Sequence, residues 1–466
     1  MGRKVKIVAT LGPVSNNKEM VTQLIKAGVN VFRLNFSYGT HESHHASFQL
    51  IRECASTLKK EVAVMQDICG PKIRISGMKE SREIAKGDLL YMSKKAEGEA
   101  FSITYPHIID QLEVGDEVYF ADGTVKSKVE EKKEDLLVLR ALTRGQLREG
   151  KGVNIPKSGI KMSALTEKDK ADLKFAAQIG IDLVAVSFVE SAKDILEARK
   201  ILKENGSDAW VIAKIERKAA IKNLDDILDA VDGIMVARGD LGVEAGIFSV
   251  PGLQKMMIKK ANERAIPVIT ATQMLTSMLH SATPTRAEIS DIANAVYDGT
   301  DAVMLSDETA VGSFPVEAVE VMVKTIADTK NHIPKIRNIK PEKQEGFAHA
   351  AAEISNDVPC KAIASFTTSG YTVKQIAKFR PHKPIYAVTY NPKIIHRLAL
   401  VWGVEKVFYI SPDESEGKMM HQFLQQAGDH DFIVTMGTLA GVKGTTSMVR
   451  LLDEAARQKI FERFGK

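Results

Sequence analysis

Short apolar runs rich in Val and Ile alternate along the chain with stretches whose apolar positions recur at helical spacing. The runs predict strands over residues 6–10, 29–36, 62–68, 183–189, 211–216, 233–240, 268–274 and 302–308. Helical spacing predicts helices over residues 18–27, 168–179, 192–204, 253–264, 286–297 and 316–329. Strands alternating with helices mean parallel βαβ units, and eight of them are the count that closes a (β/α)8 TIM barrel. An open doubly wound sheet is the alternative, and the unbroken run of the last five units argues against it.

The rhythm breaks between about Ile73 and Pro156. There the turn signals Gly87-Asp88, Gly115-Asp116 and Asp122-Gly123 separate alternating runs at 89–92, 117–120 and 136–139. Period-two alternation punctuated by turns predicts a small antiparallel β-barrel. It is inserted after the third barrel strand, where it can act as a lid that excludes water. A charged, Pro-containing linker follows residue 329. Beyond it, runs at 362–366, 385–389, 404–410 and 432–436 predict a smaller open α/β sheet covered by helices on both faces. The expected domains are 1–72 with 157–334 (barrel), 73–156 (inserted β-barrel) and 345–466 (C-terminal α/β sheet).

The barrel strands begin apolar and end in reactive groups: Arg33-Leu34-Asn35-Phe36-Ser37, Gln66-Asp67, Ser187-Phe188, Lys214-Ile215-Glu216, Arg238-Gly239-Asp240, Thr272-Gln273 and Ser306-Asp307-Glu308. A parallel barrel gathers its C-terminal strand ends on one face, where active sites are built. Any one Ser or Asp there is explained by helix capping; seven such ends together are not. Lys214 and Glu216, two apart on a strand, point the same way, and Asp240 ends the neighbouring strand. Two hard carboxylates with open positions suit Mg²⁺, although a Lys214–Glu216 ion pair alone would serve structure equally well. Gly239 and Gly242 flank Asp240 and offer backbone N–H groups to an anion. Arg33, Arg74 and Lys151 fall at the same face or at the two hinges of the insert. Cations beside a bound metal are what phosphoryl transfer requires.

Composition narrows the function classes. The chain has 466 residues, of which 44% are hydrophobic and 26% charged, an ordinary globular balance. No apolar run approaches the ~20 residues of a membrane span, so no membrane association is expected. The N-terminal residues lead straight into a strand pattern without the features of a secretory signal. Three widely spaced cysteines, Cys54, Cys69 and Cys360, fit reduced thiols and a cytoplasmic location. The 64 basic and 59 acidic residues nearly cancel to +5, and no basic tract or zinc spacing indicates nucleic acid. Neither a Walker A sequence nor a protein-kinase loop set is present.

These residues resemble pyruvate kinase. The resemblance rests on residues 7–12 with Pro13, 30–37, Gly39-Thr40-His41-Glu42, Asp67 with Gly70-Pro71, 151–156, Lys214-Ile215-Glu216, 233–242, 254–257, Ala271-Thr272-Gln273-Met274, 284–288 and 304–309. It covers nearly the whole chain in order, including the insert and the C-terminal sheet. The resemblance implies phosphoryl transfer from phosphoenolpyruvate to ADP, giving ATP and an enolate that is protonated to pyruvate, the last step of glycolysis. It implies that Glu216 and Asp240 hold a divalent metal (Mg²⁺, with Mn²⁺ an alternative) and that Lys214 stabilises the transferring phosphoryl and the enolate. Arg33 would contact the phosphoryl group. Ser187, the Gly239 and Asp240 amides and the Thr272 hydroxyl would form the substrate site, with Thr272 and Ser306 near the protonated face. Arg74, Lys151 and Asn35 would meet the nucleotide.

The resemblance also implies a monovalent-cation site at Asn35, Ser37, Asp67 and the Ile68 carbonyl. Lys72 stands where K⁺-dependent members carry Glu, so its tethered ammonium is expected to replace K⁺, and K⁺ is not expected to be required. Thr367, Thr368, Ser369 and Thr372 resemble a sugar-phosphate effector loop, which residues 441–446 would cover; a sugar-phosphate or nucleotide effector and a homotetramer are expected from the family. Elsewhere the chain departs from the family pattern at Tyr38, which replaces a His, and at Asp307, which replaces a Gly. The competing readings are a Mg²⁺-dependent barrel lyase or aldolase acting on pyruvate-type substrates, and a metabolite-binding regulator with a dead site.

Overall fold

Eight parallel strands close into a barrel: Lys6–Leu11, Val31–Asn35, Ala63–Asp67, Leu183–Val186, Trp210–Ile215, Gly233–Ala237, Val268–Ala271 and Ala302–Leu305. The first pairs with the second on one side (Leu11 opposite Leu34) and with the eighth on the other (Lys6 opposite Ala302). The structure is a computed structural model and describes residues 3–121, 123–156, 164–329, 339, 341–342, 345–412, 415–437 and 446–465. Every residue of Lys6–Leu11 and Gly233–Ala237 is buried. Strands covered on both faces read as continuous apolar runs for this reason.

Helices fill the crossovers. Lys18–Ala27 and Ala192–Glu204 have the expected bounds, and Thr166 and Thr285 start their helices with capping boxes closed by Asp169 and Glu288. The 18-residue helix His41–Leu58 escaped the pattern because its buried stripe is Ser47, Ile51, Cys54 and Ala55, too small and too polar to register as a period. Several strands stop earlier than expected. The runs expected through Val189, Asp240, Met274 and Glu308 extend past the strand ends, where Phe188, Thr272 and Gln273 turn left-handed. Arg238 and Asp307 instead open short helices, Arg238–Ala245 and Asp307–Ala310. Leu241 and Met274 are buried there outside any strand, which hydrophobicity alone cannot distinguish.

The inserted segment leaves after the third strand and folds around its own core of Met92, Phe101, Phe120, Leu137 and Leu139. Its ladder is a five-stranded antiparallel sheet in the order Val153–Asn154, Glu117–Phe120, Val125–Lys133, Leu136–Ala141, Leu89–Ser93. Two short antiparallel pairs, Gly145–Leu147 with Arg82–Ile84 and Ile75–Ser76 with Ser102–Ile103, stand beside it as separate sheets. Entry and exit are tied at the hinge by an Arg74–Gly152 bridge. The C-terminal sheet runs Val404–Tyr409, Ile385–Thr389, Ala362–Phe366, Phe432–Gly437 and Thr446–Leu452, the first four parallel. The last is an antiparallel edge strand that the sequence reading missed.

Barrel and C-terminal sheet share one apolar core. Arg380 crosses between them to Asp301 at 2.8 Å and to the Gly299 carbonyl at 2.6 Å. At the top of the barrel, a Cβ on Gly12 would lie 2.5 Å from the Ala310 carbonyl oxygen, so the first strand's end packs against the last loop only as glycine. All three cysteines are free thiols, and no described helix is long and apolar enough to cross a membrane.

Candidate active site

Five strand ends meet through one chain of buried charges. Lys214 Nζ lies 3.0 Å from Glu216 Oε1, 3.2 Å from Asp67 Oδ1 and 2.7 Å from Ser187 Oγ. Asp67 Oδ2 accepts from Arg33 Nε at 2.6 Å, and Arg33 Nη1 donates to Thr10 Oγ1 at 3.1 Å. The four charged side chains are nearly inaccessible, and two cations face two anions. Charges survive burial when paired in this way.

The balance is visible in the titration of each group. Burial opposes ionisation of Asp67, but Lys214 and Arg33 outweigh it and hold its carboxyl below the ordinary range. Burial likewise disfavours the Lys214 ammonium, yet Asp67 and Glu216 more than compensate, so its pKa is raised. Burial pushes the Glu216 carboxyl up; Lys214 pulls it back, the nearby Asp240 carboxylate adds to the rise, and the net shift is upward. Glu216 Oε2 also accepts from Phe188 N at 2.8 Å.

Asp240 sits half-buried in the first turn of Arg238–Ala245, close enough to Glu216 to disfavour its ionisation. A cation between the two carboxylates relieves that repulsion, and both offer the hard oxygens that Mg²⁺ takes. Among the described residues no group of three or more His, Cys, Asp or Glu is gathered to hold a metal. The donor set therefore fits a divalent ion that completes its shell with water and substrate oxygens.

Across the barrel mouth, Gly239 N donates to Thr272 Oγ1 at 2.9 Å, and that hydroxyl donates to the Ala271 carbonyl at 2.6 Å. Gly239 and Thr272 are thus tied together at neighbouring strand ends. Ser306 follows the eighth strand, with its N–H donating to Glu308 Oε2 at 2.7 Å. Asp307, which departs from the family's Gly, is exposed.

The other candidates fall into three places. Asn35, Ser37, Asp67 and Ile68 cluster at the second and third strand ends, where Asn35 Oδ1 accepts from Ser37 N at 3.1 Å and the Ile68 carbonyl from Ser187 Oγ at 2.7 Å. Arg74 and Lys151 meet at the hinge: Ile75 N donates to the Lys151 carbonyl at 2.9 Å, and Arg74 Nη1 to the Gly150 carbonyl at 3.0 Å. Lys72 is half-buried beside them. Thr367, Thr368, Ser369 and Thr372 surround the start of helix Tyr371–Lys378 in the C-terminal domain, apart from the barrel network. Thr367 Oγ1 accepts there from Gly370 N at 2.9 Å. The covering residues 441–445 lie outside the described residues. Tyr38 is 71% exposed.

Sequence reasoning missed Thr10, which closes the Arg33 end of the network, and Glu308, whose buried carboxylate joins Ser306 N to Leu275 N (3.0 Å). Glu308 carried a signal, since it follows a strand end. Thr10 is an ordinary strand threonine and carried none.

The chain matches two family models: "Pyruvate kinase, barrel domain" over residues 2–319 and "Pyruvate kinase, alpha/beta domain" over residues 345–452. It is 41% identical over 474 residues to pyruvate kinase 2 of Synechocystis sp., covering 96% of this chain and 79% of that protein. Identity is also 41% over 472 residues to pyruvate kinase of Geobacillus stearothermophilus (97% and 80% covered). To that of Lactobacillus delbrueckii subsp. bulgaricus it is 40% over 476 residues (96% and 80%).

Proposed function

The chain belongs to the pyruvate kinase family, and from that premise we propose how its own residues divide the work. The reaction is phosphoryl transfer from phosphoenolpyruvate to ADP, with ATP and pyruvate as products. The observation that carries the assignment of roles is the buried chain Arg33–Asp67–Lys214–Glu216 with Asp240 beside it. Glu216 and Asp240 would hold the divalent cation, Mg²⁺ or Mn²⁺, which supplies neutralisation of charge on substrate oxygens. Lys214 presents a permanently charged ammonium where negative charge develops on the phosphoryl and the enolate, and Asp67 fixes its position. Arg33, held by Asp67 and Thr10, binds the phosphoryl oxygens. Gly239 N, Asp240 N and the Thr272 hydroxyl receive the substrate carboxylate, with Ser187 at the base of the site. Thr272 and Ser306 stand near the face that is protonated. Arg74, Lys151 and Asn35 bind the nucleotide as the insert closes and excludes water.

This division needs three units: a barrel over 1–72 and 157–334, a lid over 73–156 and a C-terminal domain over 345–466. The family likeness supports a homotetramer, and the three free thiols support a cytoplasmic enzyme. The lyase and regulator readings lose their ground, since the charged set is intact and the family is one of kinases.

Asp240→Asn tests the metal assignment. Disturbing even an outer-shell partner costs 10–100-fold in metal affinity, so loss of a ligand charge is expected to weaken Mn²⁺ binding by about tenfold or more. Electron paramagnetic resonance of free Mn²⁺ reads this without turnover. Unchanged affinity with an intact fold would place the metal elsewhere.

The monovalent site is proposed to work without K⁺. Asp67 already accepts from Arg33 and lies 3.2 Å from the Lys214 ammonium, and Lys72 brings a further tethered cation to the hinge. In the C-terminal domain, the hydroxyls of Thr367, Thr368, Ser369 and Thr372 gather at the start of helix Tyr371–Lys378 and are proposed to form a phosphate cradle. Thr368 offers no basic side chain, which favours a monophosphorylated sugar or a nucleoside monophosphate over a bisphosphate. A panel of these compounds is expected to contain one that lowers the half-saturating phosphoenolpyruvate concentration and loses its effect in Thr367→Val. If none shifts the saturation curve, the loop is structural.

A further inference from the structure

Thr272 and Gln273 lie in the left-handed region of backbone space, with φ of +70° and +54°. A β-branched residue stays there only when its surroundings over-determine it. One side chain supplies the constraint. The Arg238 guanidinium donates from Nη2 to the Thr272 carbonyl at 2.6 Å and from Nε to the Ala271 carbonyl at 3.2 Å. Two successive carbonyls are thereby turned towards the same cation. Nη1 donates to Asp291 Oδ1 at 2.7 Å, on helix Arg286–Asp298. The Arg238 side chain is 10% exposed, and its planar fork meets these acceptors at once, which an ammonium cannot.

Arg238 also opens the helix that carries Gly239 and Asp240. Its backbone leads into one half of the substrate site while its side chain holds the other half. The Gly239 N–H to Thr272 Oγ1 bond spans the same gap.

We propose that Arg238 is a positioning residue for phosphoenolpyruvate. It keeps Thr272 and the Gly239 amide in the geometry that receives the substrate carboxylate, and Asp291 in turn orients Arg238. The proposal rests on the assignment of Thr272 and Gly239 to that carboxylate. The nucleotide is bound by groups on other strands and on the insert, so it is unaffected.

Arg238→Lys keeps the charge and loses the fork; Asp291→Asn keeps the shape and loses the anion. Steady-state kinetics with each substrate varied, alongside thermal unfolding midpoints, tests both. Small misplacements at a reacting centre cost up to about 10²-fold; kcat/KM for phosphoenolpyruvate is expected to fall by roughly that factor in Arg238→Lys. KM for ADP stays at its wild-type value, and Asp291→Asn shifts in the same direction by less. Thr272→Ala is the control for the underlying assignment and also raises KM for phosphoenolpyruvate. Adding Arg238→Lys to it costs less than the product of the two single effects, because Arg238 acts in part by placing the hydroxyl which that variant already lacks. Normal kinetics in Arg238→Lys beside an impaired Thr272→Ala overturns the proposal and leaves the carboxylate assignment standing. Equal losses for both substrates with a lowered unfolding midpoint also overturn it. A Thr272→Ala enzyme with normal KM for phosphoenolpyruvate removes the assignment and the proposal together.

Discussion

Lys214→Met is expected to lower kcat by ~10²-fold or more while KM for phosphoenolpyruvate stays near its wild-type value, because removal of a single electrostatic group aimed at developing charge costs that much. The ammonium is held between two carboxylates rather than pointed at a ground-state anion, so its value lies in the transition state. Among the described residues, the same variant leaves Glu216 the Phe188 N–H as its hydrogen-bond partner. Breaking a buried pair destabilises by about 3–5 kcal/mol, so turnover is to be compared at a temperature where both proteins are shown to be folded. Isotope exchange at the methyl carbon of pyruvate separates the roles further, since it needs the enolate but no phosphoryl transfer. A variant with near-normal kcat would reduce Lys214 to the structural partner of Glu216.

Lys72→Glu is expected to convert the enzyme to one that K⁺ activates strongly. A carboxylate at the hinge replaces a tethered cation by an anion, a change of two charges at the entry to the insert. In K⁺-free buffer the variant should lose most of its turnover, and added K⁺ should restore it, while Na⁺ and a large organic cation at equal ionic strength should not. Equal ionic strength matters because screening alone moves surface electrostatics. A variant indifferent to K⁺ would make Lys72 an ordinary hinge residue.

Much of this was readable from the chain. The eight barrel strands and the parity of Lys214 and Glu216 follow from period and topology, both of which survive in any sequence that buries a parallel sheet. The two side chains do meet, 3.0 Å apart. Strand ends were less legible: an apolar residue such as Leu241 or Met274 reads alike whether it closes a strand or packs from the next turn. The helix His41–Leu58 was invisible because small and polar residues line its buried face, and the edge strand Thr446–Leu452 because it mixes both kinds of residue. At the site, Arg33–Asp67 and Lys214–Ser187 join positions 34 and 27 residues apart, which no local pattern encodes. The left-handed turn at Thr272 and its restraint by Arg238 are set by tertiary contacts and leave no trace in residue order.

The account stands or falls most directly on the unmodified enzyme given phosphoenolpyruvate, ADP and Mg²⁺ in a buffer free of K⁺ and NH₄⁺, with ionic strength held by a large organic cation. Pyruvate and ATP are expected to form in equal amounts at close to the full rate, and to cease when the divalent metal is chelated. A strong rise in rate on adding K⁺ would contradict the role given to Lys72, and no product with any cation or effector would contradict the site itself.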